Sequence, residues 1–449
     1  MAHGIRGATA IIAMLIAATA HSATEEQTPA TTPLIKSVMP VVEEFTSSSR
    51  PSAAGHRIAQ GADSALITPN VHVETLVESL EQAWGMALID DTTLVVTERP
   101  GRLLRVDLRD NTTSSIGGLP GVHAQGQGGL LDVALHPRFS ENRYLYLTYS
   151  ARTRGGTATH LGRGRLNAEQ DTLEDFEVLL VAGPGLRSNA HYGSRIAISD
   201  EGHVFISTGD RNRKDFGPDH IAQDLSTRHG KILRVLDDGL IPADNPFVND
   251  RRADDAIWSY GHRNPQGLAF HPQTGVLWSN EHGEFNGDEI NIIERGGNYG
   301  WPIATWGVDY RTRERFAPTP PEVEDTINPV YWWSPEHPEG FPPSGLAFYF
   351  GDMFPEWSGH LLMGNLAHRY LGVFSVDRDE SGEIAIEMVA RVLDGRHRIR
   401  DVLVHPDGSI FVLTAENRGP LLRLSRASGV ATAAFDGHDL RLLPAKLSP

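Results

Sequence analysis

Cysteine is missing from all 449 residues. That excludes disulfides, thiolate metal sites, a cysteine nucleophile and a lipid-bearing cysteine. Positive charge is scarce as well. Forty Lys and Arg stand against 57 Asp and Glu, a formal charge of −17. Nucleic acid and anionic membrane surfaces both call for a basic footprint, so neither is expected as a partner. A local basic pocket stays possible. Long apolar runs are lacking too: Ala8–Ala20 is the best candidate and is too short to span a bilayer. With Arg6 before it and Ala18-Thr19-Ala20 at its end, it reads as a secretory signal over residues 1–22. The expected product is exported, periplasmic or secreted, without stable membrane insertion, and a monomer or homodimer. Such a chain is stabilised by its core and by any bound metal. Sustained helical periodicity is nearly absent. No Ser-His-Asp arrangement, Walker loop or dinucleotide glycine fingerprint has the context its mechanism requires.

What is present is short strands and turns. Residues 23–69 are rich in Thr, Ser, Pro, Ala and Glu and read as a disordered leader or linker. From Val71 to about Leu424 the pattern changes. Six times a strand, a turn and a second strand recur, as in Trp84–Leu88 with Leu94–Val96, Leu131–Leu135 with Tyr144–Leu147, and Arg195–Ile198 with Val204–Ile206. The others are Gly267–Phe270 with Val276–Trp278, Gly345–Phe348 with His360–Met363, and Arg400–Val404 with Ile410–Leu413. Turns such as His405-Pro406-Asp407-Gly408 carry the residues that tight turns demand. Self-similar β units at such intervals imply radial repetition, and about four strands per unit predicts an all-β, six-bladed β-propeller over residues 70–427. A pair of β-sandwiches is the competing architecture. Residues 428–449 form a C-terminal tail.

The densest polar stretch is Ile257–Pro302. It holds Gly261-His262-Arg263-Asn264-Pro265-Gln266-Gly267, Glu281-His282-Gly283, Asp288-Glu289-Ile290-Asn291 and Asn298-Tyr299-Gly300-Trp301-Pro302. These clusters sit at strand ends, where rigid scaffolds carry binding groups. His191 precedes the inner strand of the third repeat, and a neutral imidazole at a channel mouth is a natural general base. Most of the 20 histidines must nevertheless be structural. Gln127 holds the equivalent place before the second repeat, within what the residues alone describe as a Gly-rich turn. Arg263 and Asn264 precede the fourth inner strand, and Arg398 and Arg400 lie at the start of the sixth. Arginines brought together from separate blades suit carboxylates or phosphates; alternatively, each pairs with a nearby acid between blades. Asp288, Glu289 and neighbouring carbonyls are hard oxygen ligands, fitting Ca²⁺ better than Zn²⁺, although the spacing is not an EF-hand.

On these motifs, together with Gln127-Gly128-Gly129-Leu130-Leu131, Gly297–Pro302 and Arg398-Ile399-Arg400-Asp401-Val402, the chain resembles the soluble quinoprotein aldose sugar dehydrogenases of the glucose/sorbosone dehydrogenase family. The likeness runs from about Trp84 to Leu424. It implies a six-bladed propeller holding pyrroloquinoline quinone and Ca²⁺ at the channel mouth, oxidising an aldose at C1 to a lactone and passing electrons to an external acceptor. It further implies His191 as general base and Arg263 beside the quinone oxygens. Gln127, Asn264, Arg398 and Arg400 match cofactor-binding positions. The carbonyls of Gly283 and Glu284 match ligands of a catalytic Ca²⁺, and Glu289 and Tyr299 match a second, structural Ca²⁺ site. The chain departs from the family pattern at four places. Ala367 stands where a cofactor-binding lysine is typical, with Arg369 the candidate to replace it. Ala415 replaces a usual Asp beside Glu416, Glu284 a common proline, and Ala190 an Asp that precedes the base in some members. Two other functions remain open on sequence grounds, a Ca²⁺-dependent propeller lactonase and a non-catalytic ligand-binding propeller.

Overall fold

A computed structural model describes residues 70–379 and 381–427. The proposed signal peptide, leader and C-terminal tail lie outside the described residues. The described chain forms six four-stranded antiparallel sheets, the blades of a propeller. Blade 1 is Ala83–Asp90, Thr93–Glu98, Arg102–Asp107 and Thr112–Ile116, counted from the inside outward. Blades 2 to 5 repeat the plan with inner strands Leu130–Leu135, Ile196–Ile198, Pro265–Phe270 and Pro343–Phe348. Blade 6 takes its three inner strands from Ile399–Val404, Ile410–Thr414 and Gly419–Arg426, and its outer strand from Val71–Leu80 at the other end of the domain. Val71 pairs with Arg426 and Leu80 with Gly419, so the ring is closed by backbone hydrogen bonds.

Burial explains why the second strand of each blade is read so easily in the sequence. Val204–Thr208, Leu277–Glu281, Leu361–Asn365 and Ile410–Thr414 are buried at every position, because the neighbouring blades cover both faces. Such strands lack the alternation of a half-exposed strand. The core is correspondingly distributed between blades. One cluster packs Leu94, Val96 and Val106 of blade 1 against Phe411, Leu413 and Leu421 of blade 6. Helix is confined to single turns, Phe139–Asn142, Pro320–Glu322 and Pro355–Trp357.

Connectivity then decides where polar residues collect. Pro265 is in register with Glu281, Ala83 with Glu98 and Ile399 with Thr414. The residues before each inner strand therefore lie at the same end as the turn between the second and third strands. Both sets of loops open onto one face of the ring.

Along the axis below that face, Arg195 donates to Asp132 and is ion-paired with Asp401, both at 3.0 Å. Beyond this plug the channel is an open cavity of about 340 Å³, walled by inner-strand residues including Met86, Val133, Leu268 and Val402.

Candidate active site

The site is centred on His191, which is buried with φ of 49°, in the left-handed region. A non-glycine residue there is strained and needs support from its surroundings. The support is visible. Gln127 Oε1 accepts the His191 amide at 2.7 Å, and Asn264 Oδ1 accepts the Gly193 amide at 3.2 Å. Gly209 lies so close that a Cβ there would stand 2.3 Å from the His191 carbonyl oxygen. Gln127 and Asn264 thus use their carbonyl oxygens, and not their NH₂ groups, on this segment.

The imidazole has a partner that sequence analysis missed. His191 Nδ1 lies 2.6 Å from Asp210 Oδ1, and Trp301 Nε1 donates to Asp210 Oδ2 at 2.8 Å. Asp210 also accepts the Asn212 amide at 2.8 Å. Burial alone would raise the Asp210 carboxyl, but the bond from His191 and the charges of His191, Arg263 and His220 leave it below the ordinary carboxylate range. With a carboxylate on one side, Nδ1 carries the proton and Nε2 is the free acceptor. His191 itself is pushed down, first by burial and then by Arg263 and Lys214, against the opposing pull of Asp210. It is therefore neutral, and basic at Nε2, at neutral pH.

A signal for Asp210 existed. Glu98 and Glu281 end their second strands and Glu416 follows one, and each accepts a backbone amide near the head of an inner strand, from Glu81, Arg263 and Arg398 respectively. Glu281 also holds an imidazole, with His262 Nδ1 2.9 Å from its Oε1, but in blade 3 the acid accepts no inner-strand amide and is given wholly to the His191 ring, the Trp301 indole and the Asn212 amide. The departure from the repeat marks the site.

Arg263 extends over the Trp301 ring at 5.2 Å. Its guanidinium is paired: Nη2 donates to Glu284 Oε2 at 2.8 Å and Nε to the same atom at 3.2 Å. The other side of that carboxylate is held by Lys214 Nζ, at 2.6 and 2.7 Å from its two oxygens. Arg263 is thus ion-paired, with an acid of its own blade and not across to a neighbouring one. The Glu284 side chain is engaged by two cations, and any metal contact from this residue rests on its carbonyl.

Arg398 and Arg400 behave differently, forming no ion pair among the described residues. Arg400 donates to Gln266 Oε1 at 3.0 Å. It is pulled down to about 9, first by burial and then by the like charges of Arg195, Arg99 and Arg398. Such mutual repulsion among guanidiniums favours an anionic ligand. His282 bridges the two groups of cations. Its Nε2 lies 2.7 Å from the Pro343 carbonyl, and burial, with Arg263, His191 and Arg400 nearby, pushes it to about 3. Arg369 stands apart. It is exposed in a left-handed turn, with φ of 63°, and makes no hydrogen bond to the other candidates among the described residues.

Beside Arg263 lies a cavity of about 10 Å³ lined by Glu281, His282, Gly283, Glu289, Tyr299 and Thr305, among others. This is room for one water or ion. Glu289 is pushed well above the carboxylate range, first by burial and then by the charge of Glu281. Asp288 is raised to about 6 by burial, and its oxygens accept the amides of Gly283 and Phe341. The Tyr299 hydroxyl turns away to Ile292 O and Glu294 N, and its ring stacks on His262 at 4.6 Å. Among the described residues no set of three or more His, Asp and Glu is arranged around a metal position. A cation here would lean on backbone carbonyls, with Glu281 and Glu289 as its carboxylates.

The chain is similar to known proteins over nearly all of its described length. The family model described as Glucose / Sorbosone dehydrogenase matches residues 80–423. Aldose sugar dehydrogenase YliI of Escherichia coli is 40% identical over 358 residues, which span 79% of this chain and 93% of the relative. The crystal structure of a soluble aldose sugar dehydrogenase from Escherichia coli in the apo form superposes with a TM-score of 0.71 at 39% identity, over 80% of this chain and 100% of that one. The PQQ-bound aldose sugar dehydrogenase of Streptomyces coelicolor gives 0.63 at 25% identity, over 80% of this chain and 99% of that one.

Proposed function

Because the chain belongs to the glucose/sorbosone dehydrogenase family, we propose that it is a pyrroloquinoline-quinone-dependent aldose sugar dehydrogenase with His191 as its general base. The observation that carries the assignment of the base is the Asp210–His191 pair, joined at 2.6 Å at the mouth of the ring. The donor set fits the cofactor. A flat tricarboxylate complements guanidiniums that repel one another at Arg398, Arg400 and Arg99, and amide NH₂ groups from Gln127 and Asn264. Gln127, Asn264, Arg398 and Arg400 would hold pyrroloquinoline quinone, which would supply a hydride acceptor for C1 of the sugar, and the carbonyls of Gly283 and Glu284 would hold a Ca²⁺ that would supply Lewis acidity beside it.

The chain's own residues supply the rest. His191 Nε2 takes the C1 hydroxyl proton as the C–H bond breaks. Asp210 keeps the imidazole in the productive tautomer and offsets the positive charge that develops on it. Arg263, fixed between Trp301 and Glu284, presents its guanidinium to negative charge arising opposite His191. The product is the lactone, and the electrons leave to an external acceptor. The small cavity beside Glu289 and Tyr299 has room for a structural Ca²⁺, which would offset the like charges of Glu281 and Glu289 there. Export by the N-terminal segment belongs to the same reading, and no helix among the described residues is long and apolar enough to cross a membrane. The test is reconstitution of purified protein with pyrroloquinoline quinone and Ca²⁺, followed by dye reduction with simple aldoses. Turnover that appears only with the cofactor supports the reading. Aldose turnover indifferent to it, or lactone hydrolysis in its place, overturns it.

A further inference from the structure

Arg211 is among the largest fully buried side chains, at 2% exposure, and it has no acid partner at ion-pair distance among the described residues. A buried cation without a counter-ion is unfavourable, and burial accordingly pulls this guanidinium below its ordinary range. What the arginine provides is geometry. Nε donates to Ala190 O at 3.0 Å, Nη1 to Thr157 O at 2.8 Å, and Nη2 to Thr157 Oγ1 at 3.1 Å and to Ser188 O. Its guanidinium carbon stands 3.8 Å from the centre of the Tyr192 ring. In return, Ser188 Oγ donates to the Arg211 carbonyl at 2.7 Å. These contacts bracket His191: Ser188 and Ala190 precede it and Tyr192 follows it.

We propose that Arg211 is a positioning residue that locks the 188–192 segment and so holds His191 in its strained conformation, aimed by Asp210. The two adjacent residues divide the task. Asp210 grips the imidazole at 2.6 Å, while Arg211 grips the backbone that carries it. A five-donor planar fork is suited to this because it reaches carbonyls on two chain segments at once, which an ammonium does not. Lysine is therefore not an equivalent replacement. The inference rests on His191 acting as the base in the proposed dehydrogenase.

The experiment compares Arg211→Gln, Arg211→Lys and Thr157→Val in protein reconstituted with pyrroloquinoline quinone and Ca²⁺. Misplacing a reacting group by about 1 Å costs on the order of 10²-fold, so kcat for an aldose should fall by about that factor in both Arg211 variants. KM and cofactor affinity should stay within about threefold of wild type, since ground-state contacts are untouched. In a His191→Gln background, Arg211→Gln should cost nothing further, because there is no longer a base to aim. A structural defect would lower activity in both backgrounds. Thr157→Val removes one acceptor from the fork together with the hydroxyl's own contacts to Ser188 O at 3.0 Å and Tyr192 Oη at 2.9 Å; it should show a smaller loss with the same dependence on His191, and it serves if the Arg211 variants fail to fold. Amide hydrogen exchange over residues 188–193, read in the cofactor-free protein, should accelerate in each variant. Unchanged exchange in Thr157→Val and Arg211→Gln, kcat within about threefold of wild type, or equal losses with and without His191 would each overturn the proposal. A wild-type protein that reduces no dye after reconstitution sinks the dehydrogenase reading instead, and the exchange measurement then still decides whether Arg211 holds the segment.

Discussion

Asp210→Asn is the sharpest test of the proposed chemistry, because a charge is removed and little else changes. As His191 accepts the sugar proton it becomes an imidazolium beside the Asp210 carboxylate, joined at 2.6 Å. Taking about 4 Å between charge centres and an effective dielectric constant near 20, the attraction is about 4 kcal/mol. At 1.36 kcal/mol per decade this corresponds to roughly 10³ in rate. The asparagine also presents its NH₂ to either His191 Nδ1 or the Trp301 indole N–H, both of which are donors. The expected outcome is a kcat about 10³-fold lower, with cofactor affinity retained. The pH profile supplies a second signature. Asp210 raises the His191 pKa, whereas burial, Arg263 and Lys214 lower it. Without Asp210 the depression is unopposed. The acid limb of kcat/KM should therefore move further below 6.5, the ordinary histidine value, even as the plateau drops. A change in stability alone lowers the plateau without moving the limb. The assay is steady-state dye reduction from pH 4 to 9 on reconstituted protein. A variant with kcat within about tenfold of wild type, or with an acid limb moved upward, refutes the argument.

His191→Gln should lose about 10²- to 10⁴-fold in kcat while still binding the quinone, as followed by cofactor fluorescence quenching; near-wild-type turnover removes His191 from the mechanism. Glu284→Gln leaves Arg263, whose side chain is 6% exposed, without its counter-charge. Breaking such a pair typically costs about 3–5 kcal/mol, so the melting temperature of the cofactor-free variant should drop by several degrees. An added anionic cofactor should recover more stability in Glu284→Gln than in wild type, and equal recovery argues against competition for Arg263. Chelation should lower the melting temperature of cofactor-free protein, because Ca²⁺ at about a hundred times its Kd stabilises the native state by about 2.7 kcal/mol. Superimposable melting curves with chelator and with millimolar Ca²⁺ dispose of the structural ion.

The fold was legible because a propeller repeats itself. The pairing of Phe270 with Leu277 and of Val404 with Ile410 follows from turn residues between apolar runs. Which polar residues meet was harder to read, since that depends on the closed ring. His191, Arg263 and Arg400 surround His282 although they come from blades 3, 4 and 6. Asp210 went unnoticed because an acid at or just after the end of a second strand occurs in several blades, and what sets it apart, contacts to His191 and Trp301 in place of an inner-strand amide, exists only in the folded ring. Arg369 was singled out by its nearness to Ala367, yet the turn exposes it. The pairing of the Glu284 carboxylate with Arg263 and Lys214 was missed for a related reason. A single position supplies both a carbonyl and a carboxylate, and a sequence motif does not say which of the two faces the site.

The closing seam of the ring has a consequence for how the protein is made. Val71–Leu80 is the first strand of the domain to leave the ribosome, and its partner Gly419–Arg426 is the last. Until synthesis is nearly complete, that first strand has no place in a sheet and carries an unpaired edge. The blade 6 residues Arg398 and Arg400 also arrive late, after His191, Asp210 and Arg263 have been in place for well over a hundred residues. No partly made chain holds the whole set of candidate site residues. If these residues hold a cofactor as proposed, its capture is confined to the finished ring.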